Sequence, residues 1–100
     1  MSKLFIDDER DPVTDDWVVV RTSEDAINFI WNNGIPNEIA FDHDLGGTDT
    51  SILVINWMTD GLVEGRLKFP ADFKYSVHSQ NPVGVENIRS KMDQLLRHFK

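Results

Sequence analysis

Lys3-Leu4-Phe5-Ile6-Asp7-Asp8-Glu9 decides how this chain is read: a short, largely apolar run that stops abruptly on three acids. The run has the length and character of a buried strand, and the acids mark its end and the start of a loop. Asp11-Pro12 then breaks regular structure. The same signature returns at Glu38-Ile39-Ala40-Phe41-Asp42, which runs into His43-Asp44-Leu45-Gly46-Gly47. It returns again at Phe73 to Val77, where the polar sequel is His78-Ser79-Gln80-Asn81-Pro82.

The segments between these runs supply the remaining elements. Trp17-Val18-Val19-Val20-Arg21 is rich in β-branched and aromatic residues and reads as a strand. Thr22 or Ser23 can cap the helix that follows, in which Ser23, Ala26, Ile27, Ile30 and Trp31 have helical spacing and Asn33-Gly34 supplies the stop. Thr48 to Gly61 contains a second helix, with apolar residues on nearly all sides, an excess that a further layer or a partner would cover. Gly61 to Asp72 carries no decisive pattern of its own. From Val83 to Phe99, Val85, Ile88, Met92, Leu95, Leu96 and Phe99 recur at helical intervals. The order β, β, α, β, α, β, α predicts a single α/β domain over residues 1–100 with a parallel sheet flanked by helices. Right-handed crossovers bring the strand carboxyl ends, and with them all three polar loops, to one edge.

Composition bounds the function. The 100 residues carry 17 acids against 10 Lys and Arg, a formal charge of -7, so double-stranded DNA is not an expected partner. There is no cysteine for a disulfide or a thiolate metal site. No stretch approaches the roughly 20 apolar residues of a membrane span. The opening residues lack the basic start and long apolar core of a signal peptide, so a cytoplasmic location is expected. Walker, dinucleotide-glycine and His-Glu-x-x-His motifs are absent.

What remains is an acidic constellation. Asp7, Asp8, Asp42 and Asp44 offer the hard oxygen donors that Mg²⁺ or Mn²⁺ prefers. Two carboxylates about 5 Å apart repel by roughly 3 kcal/mol at an effective dielectric of about 20, so such a cluster calls for a cation, a proton or good solvation. Acidic loops are also commonly no more than caps and solvated turns, the reading given to Asp11 and Asp15. His78 and His43 are candidate acid–base groups. Ser79, Asn81, Gly84 and Arg10 are candidate phosphate contacts, at the amino end of the last helix and beside the acidic run. Arg10 is equally suited to an ion pair with Glu9 or Asp44. Trp17 and Trp57 read as core or interface residues.

Leu4 to Pro12 resembles the start of a receiver domain, and Ile39 to Gly46 the strand and loop around a receiver's phosphoryl-accepting aspartate. With His78-Ser79-x-Asn81-Pro82-x-Gly84, the chain is similar to the cyclic-phosphate processing receiver domains, whose small members occur in bacteria and their phages. The resemblance implies a compact three-layer sandwich with a four-stranded parallel sheet of order 2-1-3-4. It also implies a missing fifth strand, a first helix reduced to the segment around Pro12 to Asp16, and a helix end and a loop over Gly61 to Asp72. It puts Asp7 and Asp8 at the metal-binding acids, Asp42 at the phosphoryl acceptor and Ser79 near the hydroxyl residue after the fourth strand. No lysine fits the receiver lysine, so phosphorelay signalling is not implied; His43, Asp44, His78 and Asn81 fit the handling of a cyclic phosphate instead. The leading expectation is a metal-dependent phosphoesterase acting on a cyclic phosphate of a nucleotide or RNA end, in the host cytoplasm if phage-encoded. The alternatives are a phosphate-binding module without turnover and a protein-interaction domain on the same scaffold.

Overall fold

Leu4 and Ile6 are fully buried while Lys3 and Phe5, which alternate with them, are only partly covered, so β1 (Lys3–Ile6) turns one side to a core and the other elsewhere. The computed structural model describes residues 2–100. The elements are β2 (Val18–Val20), α1 (Ser23–Asn33), β3 (Glu38–Phe41), α2 (Ser51–Val63), β4 (Lys74–Val77) and α3 (Pro82–Phe99). All strand pairs are parallel and the sheet order is β2-β1-β3-β4, the receiver-like arrangement. The expected boundaries hold to within a few residues. The largest shift is in the second helix, which starts at Ser51 because Asp44 and Thr50 bridge across the glycine turn.

Both crossovers, β2-α1-β3 and β3-α2-β4, advance in the same direction across the sheet. Right-handed connections therefore put α1 and α2 on the same face, and α3 packs beside α2. The core lies between this row of helices and the sheet side bearing Leu4, Ile6, Ile39 and Phe41, with Ile30, Val54, Met58, Ile88 and Met92 facing them. The opposite side of the sheet carries Phe5, Ala40 and Ser76 in register and has no helix among the described residues. The third layer expected from the resemblance is thus only the irregular segment 8–17, the remnant of the reduced first helix. The apolar excess of α2 is partly unburied. Leu53 and Val63 are exposed, and half-covered Trp57 meets exposed Trp31 edge-on with ring centres 6.3 Å apart.

Local chemistry fixes the helix ends that frame the sheet edge. Thr22 Oγ1 accepts from the Asp25 N–H at the start of α1. The same end is held by Asp49, whose carboxylate accepts from the Ser23 N–H at 2.9 Å and from the Ser23 hydroxyl. Asn81 caps α3 through its Oδ1, which accepts from the Gly84 N–H at 3.0 Å, with Pro82 at the first helical position. Gly46 and Gly47 take φ of 93° and 56°, values that favour glycine, and so let the loop after β3 turn back into α2. Among the described residues, no helix is long and apolar enough to cross a membrane.

Candidate functional site

The three strand-end residues Asp7, Asp42 and His78 follow one register step beyond the paired residues Ile6, Phe41 and Val77. The ladder continues far enough to fix them: Asp42 N–H donates to the Ile6 carbonyl at 2.9 Å and His78 N–H to the Phe41 carbonyl at 2.9 Å. By alternation all three project to the side of Phe5, Ala40 and Ser76, the face without helices. Asp7 and Asp42 open on a cavity of about 510 Å³ whose wall includes Asp8, Glu9, Asp44, Ser79, Gln80 and Asn81.

Asp7 is fully buried and is held from four directions. Its Oδ1 accepts from the Glu9 N–H at 2.9 Å and the Arg10 N–H at 2.8 Å, which turns the chain back over the strand end. Its Oδ2 receives Arg10 Nε at 3.1 Å and His78 Nε2 at 3.1 Å. Burial pushes its carboxyl upward, but the two backbone N–H groups and the charges of Arg10 and His78 outweigh it. Asp7 is held below the usual carboxylate range. Asp42 goes the other way: burial first, then the negative charge of Asp7, raises its carboxyl against the opposing pull of His78 and Arg10. The Ser51 hydroxyl donates to the Asp42 carbonyl and fixes the backbone there. Carboxylate oxygens of Asp7, Asp8 and Asp42 all lie within 4.8 Å of one another. Three hard donors at this spacing, one of them destabilised by its neighbour's charge, fit a divalent cation.

The candidate residues divide by placement. Asp7, Asp8 and Asp42 form the close trio, whereas Asp44 lines the cavity outside it and is more exposed. Its Oδ1 meets His43 Nδ1 at 3.1 Å and its Oδ2 meets Asn81 Nδ2 at 3.4 Å; those two contacts, His43's first, lower its carboxyl. Ser79 and Asn81 line the cavity, and the Asn81 N–H donates to Ser79 Oγ. His43 does not reach that wall. Its largely covered ring packs against Gly84, where a Cβ would overlap it, so Gly84 serves close packing with His43, and its N–H is already given to Asn81. His78 also lies beside the cavity rather than on its wall. Its ring stacks on Phe5 at 4.6 Å between centres, 9° from parallel. Burial depresses its pKa despite Asp7 and Asp42, so the ring is neutral near neutral pH, and ionised Asp7 requires the hydrogen to sit on Nε2.

Arg10 pairs with neither Glu9 nor Asp44. The turn made by Asp7 carries its side chain across the strand ends, where Nη2 donates to the His78 carbonyl at 2.7 Å and lies 3.9 Å from Asp42 Oδ2. Arg21 buttresses this turn by donating to the carbonyls of Asp7 and Arg10 and pairing with Asp11. Gln80 is a cavity residue that the sequence did not single out, since an amide in a polar loop has no distinguishing context.

An acid trio at the carboxyl edge of a 2-1-3-4 sheet, with a hydroxyl residue following β4, is the receiver arrangement. Residues 2–94 match the family described as Cyclic-phosphate processing Receiver domain. The chain belongs to that family. No curated protein and no solved structure matches the chain. In this receiver domain Gly84→Ala is expected to cost about 1–3 kcal/mol, because the added methyl must displace the His43 ring. Urea unfolding checks this, and an unchanged midpoint would contradict the packing role.

Proposed function

We propose that this receiver domain binds a divalent cation at Asp7, Asp8 and Asp42 and hydrolyses a cyclic phosphate in the adjoining cavity. The supporting observation is the trio of carboxylates within 4.8 Å in a cavity that also offers Ser79, Gln80 and Asn81 as donors. Mg²⁺ or Mn²⁺ held there would neutralise the carboxylates and supply Lewis-acid polarisation of a phosphoryl oxygen.

The chain's own groups account for the rest. The Ser79 hydroxyl, the Gln80 and Asn81 amides and the Arg10 guanidinium are the available donors to phosphoryl oxygens. A carboxylate oxygen of Asp42 left free by the cation would take the proton of an attacking water; attack by its own carboxylate is the covalent variant. In the hydrolytic form, water oxygen bonds to phosphorus and one ring ester bond breaks. The leaving oxygen takes a proton and a phosphomonoester results. His78 contributes by holding Asp7 in place, and as a neutral imidazole it retains Nδ1 as an acceptor.

Turnover of 2′,3′-cyclic or 3′,5′-cyclic nucleotides is expected with Mg²⁺ or Mn²⁺ and is expected to vanish with a chelator. Folded protein that binds Mn²⁺ yet converts none of them would remove the hydrolase reading. One observation favours a second reading, a binding module: His78 is committed to Asp7 instead of facing the cavity. Tight binding of a cyclic nucleotide without product would select it. The cytoplasm remains the proposed compartment for either activity.

A further inference from the structure

The helix-free face of the sheet holds a second cavity, of about 390 Å³, immediately beside the acidic one. Its floor is Phe5, Ala40 and Ser76, which lie side by side in register. Trp17 and the exposed Val13 form its wall, and Trp17 meets Phe5 edge-on with centres 5.8 Å apart. Arg10 belongs to both cavities. His78 closes the near end, its ring lying along Phe5 and its Nε2 on Asp7 of the acid trio. Two aromatic side chains therefore adjoin the proposed phosphate pocket, with Arg10 and His78 at the boundary.

We propose that this groove receives the base of a free mononucleotide whose phosphate lies in the acidic cavity; the proposal rests on the phosphate reading given above. One face of Phe5 is covered by His78 and Lys3 Nζ sits over the Trp17 ring at 4.5 Å, so the groove offers a heteroaromatic ring apolar contact with Trp17, Phe5 and Val13 and the Ser76 hydroxyl for a base edge. A protein partner fits poorly. Two residues toward the strand starts, the same face carries Lys3, paired with Asp16 at 2.8 Å, and Lys74, 3.8 Å from Glu38. The apolar strip is confined between these ion pairs and the acid trio, whereas a stable protein interface needs roughly 800 Å² of continuous surface per partner. A long RNA is disfavoured by the charge of -7, which repels each additional phosphate.

The test compares 2′,3′-cyclic AMP with glycerol 1,2-cyclic phosphate, which has the cyclic phosphate and no base, by NMR titration in Mg²⁺. The nucleotide is expected to shift the Trp17 indole N–H and to bind about ten-fold more tightly than the base-free compound. Trp17→Ala is expected to remove that advantage and leave the glycerol compound unaffected. Ser76→Phe, at an exposed strand position that tolerates an aromatic residue, should fill the groove and do the same if Trp17→Ala fails to fold. Equal affinity for the two ligands, absence of binding by both, or nucleotide affinity untouched in folded Trp17→Ala and Ser76→Phe would overturn the proposal. So would a clear preference for an RNA oligomer with a 2′,3′-cyclic end over the mononucleotide. The two readings fail separately. Base-dependent binding without product retains the groove and removes hydrolysis, whereas turnover indifferent to the base does the reverse.

Discussion

Asp42→Asn is expected to abolish metal-dependent turnover, lowering kcat/KM by about a thousandfold or more, and at the same time to make the metal-free protein more stable. The two effects share one cause. Asp42 is nearly buried and its carboxylate lies in the close trio with that of Asp7. At an effective dielectric of about 20, two charges about 5 Å apart repel by roughly 3 kcal/mol, and with His78 neutral near neutral pH, Arg10 offsets only part of this. A carboxyl raised on folding is favourable below its unfolded pKa, and that contribution is lost as pH rises through the folded value. At neutral pH the ionised group is therefore a net cost, which the amide removes. A gain of about 1 kcal/mol is expected, or about 4–8 °C in Tm for a domain of this size. Added Mn²⁺ should raise the Tm of the wild type much more than that of the variant, because the variant lacks one donor. Thermal melts with and without metal, beside the rate assay, check both halves. A variant that stays active, or that melts lower without metal, would remove Asp42 from its assigned place.

The sequence made the trio legible and left its surroundings closed, for a physical reason. An apolar strand ending in an acid, as at Ile6-Asp7 and Phe41-Asp42, states both an element and its polar edge, and a parallel sheet then gathers such edges together. Parity carries further still: Phe5, Ala40 and Ser76 share a face, so Asp7, Asp42 and His78 must follow on it. Contacts made by loop direction or by long side chains have no such rule. Arg10 lies across the strand ends because Asp7 itself bends residues 8–10, a consequence of two backbone hydrogen bonds that no spacing encodes. Asp49 reaches Ser23 across 26 positions, and His43 finds Gly84 across a still longer gap in sequence. The bare face was visible only as a missing helix. That Trp17 lines a groove there, instead of entering the core, depends on the path of the irregular segment before it.

Asp7→Ala is expected to have the opposite sign from Asp42→Asn and the largest cost in stability of any substitution at the site. Asp42 is short of partners, whereas Asp7 has four donors on its two oxygens: two backbone N–H groups, Arg10 Nε and His78 Nε2. Truncation leaves those donors facing a buried void and frees the turn that carries Arg10, a loss of about 3–5 kcal/mol. Against the 5–15 kcal/mol typical of small domains, this brings the protein close to unfolding. Asp7→Asn should be only partly milder. Its amide oxygen can keep the two backbone N–H groups, and His78 can change tautomer to accept from the amide NH₂, but Arg10 Nε then meets a donor and cannot adapt. Acid should reproduce the loss in the wild type. A carboxyl lowered on folding stabilises above its unfolded value, near 3.8, and that contribution disappears as pH falls through the folded value. Urea midpoints measured from pH 6 downward should therefore fall more steeply below pH 4 in the wild type than in Asp7→Asn. A Tm for Asp7→Ala within a few degrees of the wild type would show that the strand-end turn is held by something other than this carboxylate, and the cation pocket built upon it would lose its foundation.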